Sequence, residues 1–214
     1  MKNNFPENEK AVWILKTKGP QPLIAVAEQL NITVEGARFQ LLKLASEGIV
    51  EAVTVSKGRG RPQQIWSLTA LGNQRFPDTH ADLTVRLINS MRDTLGEEAL
   101  QTVIDATQKV NITRYTQAVA QAGNLEEKIN CLAQARDAEG YMASYEKEGD
   151  GFLLIENHCP ICAAATACLG FCKSELETFK KVIGREAKVK RVNHILEGAR
   201  RCAYSIIPDK ADKK

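Results

Sequence analysis

His158-Cys-Pro-Ile-Cys-Ala-Ala-Ala-Thr-Ala-Cys-Leu-Gly-Phe-Cys172 contains four of the six cysteines of the chain. They are Cys159, Cys162, Cys168 and Cys172. A fifth, Cys202, lies within Arg-Arg-Cys-Ala-Tyr-Ser-Ile, whose alternation predicts a strand able to return beside the others. Thiolates are soft ligands that suit zinc, copper(I) and iron–sulfur clusters. These five cysteines therefore predict a metal or iron–sulfur site.

The spacing of the cysteines indicates a metal more clearly than it indicates which metal. Cys159-x2-Cys162 is a chelating pair, but the next spacings match neither a zinc ribbon nor the common ferredoxin run. Cysteine is also a common core residue, and the alanines at 163, 164, 165 and 167 are typical of a closely packed helix. We expect no disulfides, because the start of the chain lacks an apolar signal segment and the cytoplasm is reducing.

Length and composition are those of a soluble globular protein. The 214 residues fit two domains, and 43% are hydrophobic and 26% charged. No run approaches the roughly eighteen uninterrupted apolar residues of a membrane helix, so we expect a cytoplasmic protein outside membranes. The net charge is +3, whereas residues 1–75 carry ten Lys or Arg and six Glu, a net +4. The basic excess therefore lies in the N-terminal part.

The N-terminal part has the order helix, helix, turn, helix, hairpin. Three helices are predicted, over 7–18, 23–30 and 34–47. Asn31-Ile32-Thr33 is the turn between the second and the third, Thr33 is the predicted N-cap of the third, and Gly48 ends it. Two strands are predicted after it, over 49–55 and 64–69. Ser56-Lys-Gly-Arg-Gly-Arg-Pro62 is a basic, glycine-rich tip between the strands. Over residues 8–75 this pattern resembles the winged helix-turn-helix of bacterial regulators of the DeoR and ArsR type.

The third helix is the candidate reader of a DNA sequence, because an α-helix fits the major groove and polar side chains can contact base edges there. Candidate DNA-binding residues on and before it are Thr33, Arg38, Gln40 and Lys43. In the tip, Lys57, Arg59 and Arg61 can reach phosphates or the minor groove. We therefore expect a double-stranded DNA operator as partner, with residues 1–75 as the DNA-binding domain.

Residues 76–122 are predicted to be a helical linker and dimerisation region. One amphipathic helix covers 78–95 and another runs from 97 towards 110, where Asn111-Ile112-Thr113 is predicted to interrupt it. The apolar face can pack internally or form an interface between copies. We expect a homodimer, because helix-turn-helix proteins commonly bind two half-sites.

Residues 123–208 are predicted to form an α+β sensor domain around the cysteines. Its predicted elements are helices over 125–138 and 174–182, a hairpin at 148–151 and strands over 188–196 and 202–207. Cys131 is expected in the core, and residues 209–214 are expected to be a disordered tail. The whole chain is thus predicted to be α+β.

Three C-terminal segments carry a second resemblance. Glu156-Asn-His-Cys-Pro-Ile161, Cys172-Lys-Ser-Glu-Leu-Glu177 and Val192-Asn-His-Ile-Leu-Glu-Gly-Ala-Arg-Arg-Cys-Ala-Tyr204 resemble the SufR-like transcriptional regulators. The resemblance implies a homodimeric repressor that binds a four-iron four-sulfur cluster and controls genes for cluster assembly. It also implies that Cys159, Cys172 and Cys202 are ligands.

The chain departs from that family at one position. An intermediate cysteine is expected near Glu186, and this chain has none there. Cys162 and Cys168 are extra and could supply a fourth thiolate, and His194 and Glu186 are possible ligands that are not cysteines.

Two other functions are open from the residues. One is a winged-helix regulator with a structural zinc site and a different effector. The other is an enzyme with a low-pKa Cys159 and His158 or His194 as base, although neighbouring residues on a strand point to opposite faces. Because no phosphate loop or paired catalytic carboxylates are apparent, we expect no enzyme.

Overall fold

The computed structural model describes residues 9–55 and 62–209 and has an α+β secondary structure with two antiparallel sheets, which confirms the predicted class. The chain divides into two compact units, Met1–Asp78 and Thr79–Lys214. In the described ranges, no helix combines the length and the apolar character that crossing a membrane requires.

The first unit combines helices with a three-stranded sheet. In chain order its elements are α1 (Lys10–Lys18), β1 (Gln21–Pro22), α2 (Leu23–Leu30), α3 (Val34–Ser46), β2 (Val50–Val55), β3 (Gln63–Leu68) and α4 (Ala70–Asn73). The strand order is β1-β3-β2. The bounds predicted for the second helix are confirmed.

Apolar side chains at helical spacing hold the first unit together. One core cluster joins all three longer helices to Trp66 of β3, which is 2% exposed. From α3 it receives Ala37, Leu41 and Leu44. Thr33 caps α3 as predicted, because its hydroxyl oxygen accepts a hydrogen bond from the Gly36 N–H at 3.1 Å.

The second unit packs helices around a four-stranded sheet. Its elements are α5 (His80–Leu95), α6 (Glu97–Ala118), α7 (Leu125–Arg136), β4 (Ala143–Glu148), β5 (Gly151–Glu156), α8 (Cys162–Ala167), α9 (Gly170–Ile183), β6 (Ala187–Asn193) and β7 (Cys202–Pro208). The strand order is β4-β5-β7-β6. The main core lies among α6, α7, α9 and the sheet, and includes Leu132, Phe179 and Tyr204.

The helix predicted to be interrupted at residues 111–113 continues to Ala118, so the predicted interruption is wrong. Both polar residues are accommodated inside the helix. The Thr113 hydroxyl donates to the Lys109 carbonyl at 3.1 Å, and the Asn111 amide oxygen accepts from Arg114. Neither side chain competes for backbone groups in a way that would end the helix.

Three further predictions for the C-terminal region can be compared with the structure. The strand predicted over 188–196 ends at Asn193, and a short 3-10 turn, Ile195–Glu197, follows it. The predicted hairpin is confirmed, since β4 and β5 pair around Gly149, which has φ +57°. Of the predicted tail, Asp209 donates its N–H to the Glu186 carbonyl at 2.9 Å, and the rest lies outside the described residues.

The helices of the predicted linker pack on the cysteine-rich segment. α5 contacts α8, and α6 contacts α9. Gly170 at the start of α9 permits this approach, because a Cβ there would lie 2.9 Å from the Ile104 methyl of α6.

Candidate functional site

Four different parts of the second unit deliver cysteines to one region. Cys159 follows β5, Cys162 begins α8, Cys172 lies in the first turn of α9 and Cys202 begins β7. The Cys162 N–H donates to the Cys159 carbonyl at 3.2 Å, which closes a turn between the first two. Glu156 at the end of β5 is the register partner of Cys202, so the loop after β5 starts beside β7.

The thiols of this region influence each other's ionisation. Loss of hydration on burial raises the pKa of Cys159 to about 12, and a nearby carboxylate and the thiols of Cys162 and Cys202 add to the shift. Burial also raises the pKa of Cys172 to about 11, with Cys202 and Cys162 among the neighbours that contribute. These four cysteines therefore lie within electrostatic reach of one another.

The raised pKa values define what the region can do chemically. At neutral pH Cys159 and Cys172 are protonated unless a cation stabilises their thiolates, so metal binding there would release protons. A cysteine nucleophile requires a lowered pKa instead. The raised pKa of Cys159 thus argues against the nucleophile role considered from the sequence.

Cys168, a fifth predicted ligand, lies in a different set of contacts. It is buried in a small cluster with Ile88, Leu100 and Ile104 of α5 and α6. A Cβ at Gly170 would lie 3.2 Å from its sulfur. The helices of the unit enclose Cys168, whose thiol also lies within hydrogen-bonding reach of Arg92. Cys131, in contrast, packs beside the main core.

The converging thiols do not meet at one point. In residues 9–55 and 62–209, no three Cys, His, Asp or Glu side chains are placed to hold a single metal ion, and all six cysteines are free thiols. In a four-iron cluster each thiolate binds a different iron atom, so its thiolates stand farther apart than those around one zinc ion. The four thiols are donors of the kind that iron–sulfur clusters use, but the described residues contain no preformed metal site, and a single ion would require the side chains to move together.

A buried ionic network adjoins the thiols. Arg136 of α7 is 2% exposed and donates to Glu156 at 2.6 Å, to the Tyr115 hydroxyl at 2.9 Å and to Glu175. Its guanidinium also lies 3.3 Å from the ring centre of Tyr141. Four elements of the unit, α6, α7, α9 and β5, are thus tied to one buried cation.

Glu175 connects this network to the cysteines. It lies three residues after Cys172 on α9, and its other carboxylate oxygen accepts from the Tyr204 hydroxyl at 2.7 Å. Arg191 of β6 donates to Tyr204 at 3.2 Å and to the Cys172 carbonyl at 2.6 Å. Sequence reasoning missed these residues. The only signal was the placement of charged residues among apolar ones, as with Glu156 at the end of Phe-Leu-Leu-Ile.

The two non-cysteine ligand candidates differ in their surroundings. His194 is 8% exposed and lines a cavity of about 330 Å³ together with Cys172 and Arg191. Its Nδ1 lies 3.3 Å from a carboxylate oxygen of Glu197, and its Nε2 is buried without a hydrogen-bond partner. Glu186 instead forms an ion pair with Lys128 of α7.

In the first unit, the candidate DNA-binding residues do not all share one exposed face of α3. Arg38 and Lys43 are exposed, and Arg38 lies 3.4 Å from Glu35. Gln40 is half-buried and its amide oxygen is buried without a partner. Thr33 uses its hydroxyl as the helix cap. The tip residues Lys57, Arg59 and Arg61 lie outside the described residues.

Phe39 of α3 is a residue that sequence reasoning missed. Its side chain is 73% exposed, and Leu42 on the same face is 55% exposed. The residues at 35, 38, 39, 42 and 43 recur at helical spacing and form one exposed face. The signal was available in the sequence, because Ala37, Leu41 and Leu44 define the buried face and leave Phe39 opposite it.

Comparison of the chain with models of known protein families gave no match, and comparison with curated proteins found no similar sequence.

Proposed function

We propose that the chain is a cytoplasmic, DNA-binding transcriptional regulator, acting as a homodimeric repressor, with a winged helix-turn-helix first unit and an iron–sulfur cluster in the second. The observation that carries the proposal is the convergence of Cys159, Cys162, Cys172 and Cys202 from four separate elements. The four thiols lie within electrostatic reach of one another, although the elements that carry them are separate in the chain.

Support for DNA binding comes from the first unit. α2 and α3 are joined by a three-residue turn whose last residue, Thr33, caps the start of α3. α3 exposes Arg38, Phe39 and Lys43. A cation of this kind can contact phosphates or guanine, and an exposed phenylalanine can contact a thymine methyl group. The antiparallel β2–β3 pair that follows α3 is the position at which a wing is expected.

Support for the homodimer comes from the helices of the second unit. α5 exposes Leu83 and Leu87 one turn apart, and α6 exposes Val103 and Val110 two turns apart. Exposed apolar residues at helical spacing are typical of helix pairing between subunits. A Leu87→Glu variant is therefore expected to sediment as a monomer in analytical ultracentrifugation.

The chain's own residues suggest how occupancy could be coupled to DNA binding. When bound, a cluster would supply bonds that are lost on oxidation or iron limitation. The loop after β5 and the starts of α8, α9 and β7 would be fixed together by its ligands. α5 and α6 pack on α8 and α9, so ordering of the cysteine segment acts on the helices proposed to pair. The free energy of this coupling cannot exceed the difference between the free energies with which the cluster binds the DNA-binding state and the non-binding state.

The first experiment is anaerobic purification followed by a visible spectrum and analysis of iron, sulfide and zinc. The proposal predicts a brown protein with matched iron and sulfide. Cys172→Ala is expected to lose most of the iron, whereas Cys168→Ala, the matched control from the helical cluster, keeps it. A colourless protein with one zinc ion per chain would support the structural-zinc alternative instead.

DNA binding is tested separately, with a duplex of random sequence because the operator is unknown. If Lys43 contacts a phosphate, Lys43→Ala lowers the slope of log K against log salt by about 1. Gln40→Ala is the matched control on the same helix, and its slope should equal that of the wild type. Cluster-loaded and cluster-free protein with equal affinity for a selected operator would contradict the sensing role.

A further inference from the structure

Four consecutive residues, 191–194, line the cavity of about 330 Å³ beside α9. A regular strand would point neighbouring side chains to opposite faces. The register of β6 shifts between Arg191 and Asn193, so Val192 is an extra residue in the strand. This β-bulge explains why Arg191 and His194 line the same cavity.

Both of these side chains have a buried nitrogen atom without a hydrogen-bond partner in the part of the chain that the structure describes. The atoms are Nε2 of His194 and Nε of Arg191. His194 is 8% exposed, and the side chain of Arg191 is 13% exposed. Because buried polar atoms in native proteins nearly always have a partner, these two atoms indicate a ligand with hydrogen-bonding groups.

The guanidinium of Arg191 is held in place by two other groups. Its Nη2 donates to the Cys172 carbonyl at 2.6 Å and to the Tyr204 hydroxyl at 3.2 Å. The Nε–H is the remaining donor, and it requires an acceptor. Lys173 of α9 also lines the cavity and adds a second positive charge. The cavity therefore suits the charged oxygen atoms of an anion.

His194 requires the opposite property of the ligand. Its Nδ1 lies 3.3 Å from a carboxylate oxygen of Glu197, which favours the tautomer with its proton on Nδ1. Nε2 is then an acceptor, and it requires a donor. An oxyanion without a hydrogen atom would place its own lone pairs against that of Nε2. An oxyanion that carries a hydroxyl group satisfies both nitrogen atoms.

We propose that this cavity binds a small oxyanion that carries a hydroxyl group. Arg191 and Lys173 donate to its charged oxygens, and its hydroxyl donates to Nε2 of His194. Hydrogen phosphate and 2-hydroxy acids share this chemistry. Either fits the volume, since a water molecule takes about 30 Å³ in the liquid. The inference does not rest on the proposed function, because it requires neither a cluster nor DNA.

The test compares matched anions by isothermal titration calorimetry of the full-length chain at constant ionic strength. Phosphate is paired with sulfate, which has the same shape but no proton near neutral pH. Lactate is paired with propionate, which lacks the hydroxyl group. In one pair, the anion with the hydroxyl should bind at least about tenfold more tightly, because its match leaves Nε2 without a donor. The pair that shows this preference identifies the kind of ligand.

Two variants assign the preference to residues. His194→Phe removes the acceptor nitrogen and keeps a ring, so the preference should fall below about threefold. Lys173→Gln should weaken both anions of the pair by a similar factor, because it removes charge and leaves the acceptor. Lys181→Gln is the matched control, since Lys181 is exposed on the same helix outside the lining of the cavity, and it should bind like the wild type.

Equal affinities within both pairs, or no binding of any of the four anions, would overturn the proposal and leave the two nitrogen atoms to water. A preference that persists in His194→Phe, folded by circular dichroism, would overturn the role of His194. If that variant does not fold, the preference of the wild type and the effect of Lys173→Gln still decide the question. None of these results depends on iron, so a failure here would leave the proposed function intact.

Discussion

The two units differ in what they bury. The core of the first unit is a single apolar cluster around Trp66. The buried side chains of the described chain that are charged or polar, Arg136, Glu156, Thr178 and His194, all lie in the second. An apolar core stabilises a fold without a ligand, whereas buried ions cost free energy that their mutual attraction only partly returns. The second unit therefore carries a polar interior next to its thiols, and the first does not.

The aromatic residues allow each unit to be followed separately. The two tryptophans, Trp13 and Trp66, lie in the first unit. The four tyrosines lie in the second, at positions 115, 141, 145 and 204. Tryptophan fluorescence thus reports unfolding of the first unit, and hydrogen exchange of tyrosine-containing peptides reports that of the second.

The largest effect is expected from Arg136→Met. Removing the guanidinium leaves the buried Glu156 and the half-buried Glu175 without their cation, and breaking a buried ion pair in this way typically costs about 3 to 5 kcal/mol. Peptides of the second unit should exchange faster, while the tryptophan transition stays where it was. Arg114→Met is the control, because Arg114 is half exposed in its pair with Glu139 and should cost about 1 kcal/mol or less. Equal effects of the two variants would contradict a network centred on Arg136.

A pH dependence confined to the second unit is the next largest effect. Burial raises the pKa of Glu156 from 4.5 to about 7, although Arg136 opposes the shift. Between these values the folded state binds the proton and the unfolded state does not, so stability falls as pH rises from about 4.5 to about 7. A shift of this size corresponds to roughly 3 kcal/mol in the metal-free protein.

Glu156→Gln tests this assignment, because the amide keeps an acceptor for Arg136 and does not ionise in this range. Hydrogen exchange of the second-unit peptides of this variant should show no loss of stability between pH 4.5 and 7. Unfolding of the first unit of the wild type, followed by tryptophan fluorescence, should likewise show no loss of stability over this pH range. A slope that persists in Glu156→Gln would assign the titration to another group.

The contrast between local signals and contacts of distant residues explains how much of the fold could be predicted from the sequence. α2, Thr33 as a cap, the β4–β5 hairpin and the strand at Cys202 follow from local spacing and turn chemistry, and the structure has them. The interruption at Asn111 was a wrong prediction, because α6 packs along α5 and α9 and both polar side chains find partners within the helix. Pairings such as Arg136 with Glu156 join distant parts of the chain, and no local signal encodes them.

The difference between Cys168 and Cys172 shows the same limit in the candidate site. Both belong to one cysteine-rich segment, and their spacing in the sequence does not distinguish a candidate ligand from a core residue. Cys168 follows the last residue of α8 and lies among side chains of α5 and α6, whereas Cys172 lies in the first turn of α9 next to Arg191. The positions of the two cysteines depend on how α8 and α9 pack on α5 and α6, which spacing in the sequence does not encode.

The smallest effect is expected in the first unit, from Thr33→Ala. The hydroxyl satisfies a backbone N–H at the start of α3, and losing such a cap typically costs about 1 kcal/mol. Tryptophan fluorescence should report a shifted denaturant midpoint, while second-unit exchange is unchanged. Thr33→Ser keeps the oxygen and should restore most of the loss in denaturant midpoint.

DNA affinity, measured at denaturant concentrations well below the unfolding midpoint, then distinguishes two roles of Thr33. If Thr33 acts only as a cap, both variants bind the random duplex like the wild type, whereas a tenfold loss in Thr33→Ala alone would mean that its hydroxyl also contacts DNA.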